Sequence, residues 1–261
     1  MLEKKQEKKI IKLKNLEIGN GKPVFIAGPC SIESEKHIIE AALSLKEIGL
    51  DILRGGAFKP RTSPYDFQGL GLEGVKYLRK AADEADVSMI TEVLSEFDID
   101  PMYKYVDIFQ VGSRNMYNYS LLKRLGEQDK PVMLKRGFSA SLNEWMNAAE
   151  YIIKGGNENV IFCERGIRTF NDYTRNTLDL AGAALVKKLT SRPVFFDPSH
   201  GTGRRDLIEP MTAAGLATGL DGVIIEVHKD PDTALSDANQ TIDYESYRQI
   251  VEKYKEWFYE N

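Results

Sequence analysis

Cys30, His200 and Glu226 are a thiol, an imidazole and a carboxylate, and each lies at or just past the end of a short apolar run: PVFIAGP, RPVFFDPSH and GVIIEVH. With an aspartate from the loop after Glu226, they would set one sulfur, one nitrogen and two carboxylates around a divalent cation, leaving a position for a substrate oxygen. Taken singly, each has a plainer role. Cys30 could be a small buried hydrophobe, His200 a hydrogen-bonded loop residue and Glu226 an ion-pair partner, so only the set points to a metal. A second set is cationic. Arg54 and Lys59 lie on and after DILRGGAF, Arg114 follows DIFQVG, Lys135 ends PVMLK and Arg165 follows NVIFCE, with Arg61, Arg136, Arg168, Arg204 and Arg205 nearby. Guanidinium forks match phosphate and carboxylate bidentately, so this many at one site implies a highly anionic substrate, or two. Arg136 and Arg204 are expected instead to pair with surface acids.

The elements that must position these groups repeat. Eight β-branched, apolar runs begin at Pro23, Asp51, Val87, Asp107, Pro131, Asn159, Arg192 and Gly222, separated by segments of helical period such as EKHIIEAALSLKEIG and LNEWMNAAEYIIKGG. Near-continuous apolar strands alternating with helices suit a parallel sheet, and eight such units match a (β/α)₈ TIM barrel over residues 23–261. Residues 1–22 read as an N-terminal arm or hairpin. A doubly wound sheet is the alternative, but G-x-G-x-x-G does not follow the first strand. In a barrel of this kind the active site lies at the C-terminal strand ends, which is where the charges above fall, with Glu92 on the third run. The two-residue strand period puts Glu226 on one face with Ile224 and His228, and Arg165 with Cys163 and Ile161, so both charges could point into the barrel. Cys163 is expected to pack there, and His228 to be core or support for the site.

The chain has 261 residues, 42% hydrophobic and 28% charged, with a formal net charge of −4. It can bury a full core, and its charge offers no global attraction for nucleic acid or an anionic membrane. No run of about 18 apolar residues and no signal-like start is seen, so the expectation is a cytoplasmic protein with free thiols at Cys30 and Cys163.

AGPCSIES, RGGAFKPRTSPYDFQGLG, TEV, QVGSRNMYN, LKRG, ERGIRTF, DPSHGTGRR and EVH, in this order, resemble the 3-deoxy-D-arabino-heptulosonate-7-phosphate synthases, in their compact type I beta subtype without a fused regulatory domain. The resemblance covers about residues 23 to 250. It implies condensation of phosphoenolpyruvate with erythrose 4-phosphate on a divalent-metal-dependent barrel, with Cys30, His200, Glu226 and Asp237 as ligands. It further implies a phosphoenolpyruvate site of Arg54, Lys59, Glu92, Ser113, Arg114, Lys135 and Arg165, and an erythrose 4-phosphate site of Pro60, Arg61, Thr62 and Ser63. The family usually reads Gly-Pro-Gln after the ligand aspartate, where this chain has Ala238-Asn239-Gln240.

The implied chemistry suits these residue types. A metal with an open position can make the aldehyde electrophilic, a cationic nest can hold shifting phosphate charge, and Lys59 is the candidate general acid, with metal-held water as its competitor. Cys30, His200 and Lys59 would be the catalytic residues. The metal could be manganese, iron, cobalt or zinc. A homodimer or homotetramer is expected. The residues ahead of the first barrel strand are too few to bury a separate core, so the chain is expected to be insensitive to aromatic amino acids unless a separate chorismate mutase binds it. Three alternatives stand beside this reading: a 3-deoxy-D-manno-octulosonate-8-phosphate synthase using arabinose 5-phosphate, a Schiff-base aldolase using Lys135, and a non-catalytic phosphosugar-binding sensor.

Overall fold

The computed structural model describes residues 8–60, 63, 65 and 67–255. Each apolar run forms a strand: β3 (Val24–Gly28), β4 (Ile52–Arg54), β5 (Ser88–Glu92), β6 (Ile108–Val111), β7 (Val132–Lys135), β8 (Val160–Glu164), β9 (Val194–Phe196) and β10 (Gly222–Glu226). They run parallel in chain order and close when β10 pairs with β3. The chain is a (β/α)₈ barrel, as the alternation of elements predicts.

Both faces of each strand are buried, and they belong to separate cores. Ile26, Ile52, Ile90, Ile108, Met133, Ile161, Cys163, Phe195 and Ile224 fill the barrel interior. Phe25, Leu53, Met89, Phe109, Leu134, Phe162, Phe196 and Ile225 face outward into the layer beneath the helices. That double burial is why the strands read as unbroken apolar runs rather than as an alternation. The outer layer is α1 (Glu35–Ile48), α2 (Gly71–Glu84), α3 (Ile99–Tyr103), α4 (Tyr119–Gly126), α5 (Leu142–Lys154), α6 (Leu180–Thr190), α7 (Pro198–Thr202), α8 (Ile208–Ala217) and α9 (Tyr244–Tyr254). Caps set the starts of several. Ser141 and Glu144 form a capping box on α5, and Asp179 accepts from Gly182 N at the head of α6. None of the described helices is long and apolar enough to cross a membrane.

Ahead of the barrel, β1 (Ile11–Leu13) and β2 (Leu16–Ile18) pair antiparallel, with Ile11 opposite Ile18. Both isoleucines are buried and join the interior core beside Val24, the first residue of β3. Lys9 N donates to Ser191 O and Lys14 Nζ to Asp86 Oδ1, at loops that lead into β9 and β5. The hairpin therefore closes the N-terminal mouth of the barrel and leaves the C-terminal mouth open.

Candidate active site

The open mouth holds a cavity of about 220 Å³ lined by residues from seven strand ends and their loops, including Lys59, Glu92, Arg114, Lys135, Arg165, His200 and Asp237. Cys30, Arg54 and Glu226 lie behind this lining, almost fully buried.

On one side of the mouth the groups expected to bind metal converge. The Cys30 Sγ donates to Asp237 Oδ2 at 3.0 Å, and Cys30, Glu226 and Asp237 each present a donor atom within 4.8 Å of the others. The Nε2 of His200 lies 3.4 Å from Glu226 Oε1 and 3.9 Å from Asp237 Oδ2. His200 is placed by its own short helix. Asp197 caps α7, accepting from His200 N at 2.9 Å through Oδ1, and its Oδ2 meets His200 Nδ1 at 2.7 Å. Burial opposes ionisation of Asp197, yet His200 and Lys135 outweigh it and hold the carboxyl well below its usual range. An ionised Asp197 requires the proton on Nδ1. Burial, against the pull of Asp197 and Glu226, also lowers the His200 pKa, so the ring gives up its charge more readily than a free imidazole, with its Nε2 turned to two carboxylates.

The donor set fits a divalent cation. Burial and then Glu226 push the Cys30 thiol up to about 12, with Lys59 pulling the other way. Burial likewise opposes charge on Glu226 and Asp237, but His200 first, then Arg54 for the one and the Cys30 hydrogen bond for the other, keep both carboxyls below their usual range. A lone pair, a thiol and two carboxylates packed together lack only positive charge at their centre, and a soft-to-borderline ion suits this mixture. Asp237 is also held at φ 50°, in the left-handed region, where an aspartate costs free energy that a local role must offset. Gln240 of the Ala238-Asn239-Gln240 stretch donates to Glu226 Oε2 at 2.5 Å and accepts from Arg175 at 2.8 Å, so this variant of the family loop still braces the cluster.

Opposite lies the cationic wall. Arg114, Arg165 and Arg168 set their guanidinium carbons 5.5, 4.7 and 5.0 Å from the centre of one ring, Phe138. An aromatic face offers such groups a partner without neutralising them, which keeps their charge for a ligand. Among the described residues Arg165 has no carboxylate within ion-pair distance, although it is 3% exposed; burial lowers its pKa, and Asp197 only partly offsets this. Lys135 donates to Asp197 at 2.6 Å from inside the mouth. The Ser113 hydroxyl is buried without a hydrogen-bond partner among the described residues and lines the cavity. At Gly112 a β-carbon would stand 2.2 Å from Glu92 Oε1, so a larger residue there would have to displace the carboxylate from its place in the mouth.

Lys59 lines the cavity beside the proposed metal ligands. Its Nζ donates to Cys30 Sγ at 2.8 Å, and although burial disfavours its charge, Cys30 and Glu226 raise its pKa and keep the ammonium protonated.

The structure distributes the other expected site residues unevenly. Arg54 donates to Glu226 Oε1 and to Pro29 O, each at 2.9 Å, and so does not line the cavity. Pro60 lines it, while Ser63 does not, and its Oγ accepts from Tyr65 N. Arg61 and Thr62 lie outside the described residues. Arg204 pairs with Asp206 on the surface, as expected. Arg136 does not pair with surface acids: it is buried and donates to Glu164 at 3.0 Å and Asp179 at 2.8 Å. The two-residue period explains the difference, because Lys135 points into the barrel and its neighbour must enter the helix layer, where Glu164 is the matching neighbour of Arg165. Asp197, Phe138 and Arg175 also belong to the site and went unread. Asp197 had a signal, an aspartate directly before the proline of PSH, which is a helix start. Phe138 and Arg175 come from loops without a strand end to mark them.

Comparison with known proteins agrees with this geometry. The profile of the DAHP synthetase I family matches residues 4–260. A phospho-2-dehydro-3-deoxyheptonate aldolase of Thermotoga maritima is 48% identical over 249 residues, 95% of this chain and 74% of the relative. A 2-dehydro-3-deoxyphosphooctonate aldolase of Hydrogenovibrio crunogenus is 31% identical, over 94% of this chain and 95% of the relative. Among solved structures, a DAHP synthase of Thermotoga maritima superposes with a TM-score of 0.93 at 47% identity, covering 96% of this chain and 74% of that one. A truncated form of the 3-deoxy-D-arabino-heptulosonate 7-phosphate synthase from the same organism gives 0.89 at 43% identity, covering 96% and 92%.

Proposed function

The chain belongs to the DAHP synthetase I family, and from that membership we infer its reaction: it condenses phosphoenolpyruvate with D-erythrose 4-phosphate to give 3-deoxy-D-arabino-heptulosonate 7-phosphate and phosphate. This is the first step of the shikimate pathway toward chorismate and the aromatic amino acids. The 48% identity to the heptonate aldolase, against 31% to an octonate aldolase, carries the choice of substrate over the arabinose 5-phosphate alternative.

Cys30, His200, Glu226 and Asp237 would hold the divalent ion on which the family depends; when bound, it supplies a Lewis acid that polarises the sugar aldehyde. Arg114, Lys135 and Arg165 would take the phosphate and carboxylate of phosphoenolpyruvate, with the unpartnered Ser113 hydroxyl as a further donor. C3 of phosphoenolpyruvate forms a bond to the aldehyde carbon, and the aldehyde oxygen takes up a proton. Lys59, protonated and lining the cavity beside Cys30, is the group proposed to give it. Water then adds at C2, the C2–O bond to phosphate breaks, and the guanidiniums hold the departing charge. Pro60 and the loop beyond it would receive erythrose 4-phosphate.

Consumption of phosphoenolpyruvate, followed with erythrose 4-phosphate or arabinose 5-phosphate and with or without a chelator, tests this reading. Turnover with erythrose 4-phosphate should be abolished by chelation and restored by added metal, and Cys30→Ala should lose it. A preference for arabinose 5-phosphate would overturn the substrate assignment, and near-normal metal-dependent rates in Cys30→Ala would overturn the ligand set.

A further inference from the structure

A second cluster of metal-ligating side chains lies outside the catalytic mouth. Glu33 precedes α1, His37 lies in its first turn, and His228 follows β10; each offers a ligand atom within 4.8 Å of the others. The two imidazoles are 4.7 Å apart, centre to centre, and tilted by 45°. Their nitrogens are unusually placed. Both His37 ring nitrogens and the Nε2 of His228 are buried without a hydrogen-bond partner among the described residues, although His228 is only 6% exposed. Buried polar atoms are rarely left unmatched, and three in one cluster need a cause.

The loop after β10 fixes the His228 ring. Its Nδ1 lies 2.7 Å from Asp230 O and 3.0 Å from Asp230 N, so the backbone holds that side of the imidazole. The Nε2 on the other side is the unpartnered atom, and it faces Glu33 Oε1 at 3.7 Å, too long for a hydrogen bond. An unpartnered imidazole nitrogen turned to a carboxylate, with a second imidazole beside them, is a gap shaped for a cation. A ring held by the backbone through one nitrogen, with the other left free, is also the arrangement that orients histidine ligands of metals.

We propose that Glu33, His37 and His228 form a second divalent-metal site of the zinc or cobalt class, distinct from the catalytic cluster, with water completing the coordination. Two imidazoles and one carboxylate are a sufficient protein set for such an ion. Glu33 Oε1 also accepts from Leu235 N at 2.9 Å, so an ion here would tie α1 to the loop that ends at Asp237.

Metal content after dialysis of metal-free protein against zinc, and separately against cobalt, tests the assignment in the wild type, His37→Ala and Glu33→Gln. The wild type should hold two equivalents and each variant one. In the cobalt-loaded proteins the thiolate-to-cobalt absorption, which reports Cys30 alone, should be the same in all three. Should His37→Ala fail to fold by far-UV circular dichroism, Glu33→Gln, which keeps the shape of the side chain, decides the matter. Equal metal content in the wild type and the folded variants would overturn the proposal.

Discussion

At the level of single residues, the mouth contains two kinds of charge, matched and unmatched, and they should respond differently to mutation. Lys135 and Asp197 are a buried pair, so Lys135→Ala strands a carboxylate and should cost on the order of 3–5 kcal/mol of stability as well as activity. Arg165 rests on Phe138 without a carboxylate partner among the described residues. Arg165→Ala should therefore leave the melting temperature nearly unchanged while raising the KM for phosphoenolpyruvate, by roughly 1.5–3 kcal/mol for a lost charge-assisted contact. Arg61→Ala should act on the KM for erythrose 4-phosphate instead; steady-state kinetics that found both substrates equally affected by either change would defeat this partition. Asp197 does not line the cavity, but it fixes the ring of His200, an expected metal ligand, through Nδ1. Asp197→Asn should weaken metal binding by about 10–100-fold, read by titration of metal-free protein, since an amide can offer its nitrogen to Nδ1 and select the wrong tautomer.

Among the elements, the β1–β2 hairpin and the strand ends have separate duties. A two-stranded ribbon is marginal by itself, so this one depends on burying Ile11 and Ile18 in the barrel interior. Ile18→Ala should cost about 2–5 kcal/mol, visible as a lower denaturant midpoint. Because the hairpin closes the mouth opposite the cavity, both KM values should stay within twofold of the wild type; a substrate-specific change would mean that the two ends of the barrel are coupled. The eight strands were legible from their apolar runs, and so was the level at which their terminal charges collect. The direction of a charge next to a strand end was less so. Arg136 was misread because one residue of phase moves a side chain from the mouth to the helix layer.

For the molecule as a whole, a chain of net charge −4 concentrates guanidinium and ammonium groups at one opening. Anionic substrates meet a local positive potential that the net charge conceals, and salt should screen it. The kcat/KM for erythrose 4-phosphate should fall as ionic strength rises from about 0.01 to 0.15 M, where the screening length shrinks from about 30 to 8 Å. Rates independent of added salt would show that steering plays no part.

What the sequence determined by itself was whatever repeats locally: the strand and helix periods, the eightfold count that closes a barrel, and the ordered motifs that place Cys30, His200 and Glu226 at strand ends. Period and capping are properties of neighbouring residues, so they can be read along the chain. Only the tertiary structure decided which distant groups meet. Asp197 holds His200 and Lys135 together, Phe138 carries three guanidiniums, and Glu33 and His37 face His228 from far apart in the sequence. The first two meetings depend on the pairing of β6 to β9 side by side and the third on β10 lying against β3, and which side chains face one another there is not a property of neighbouring residues.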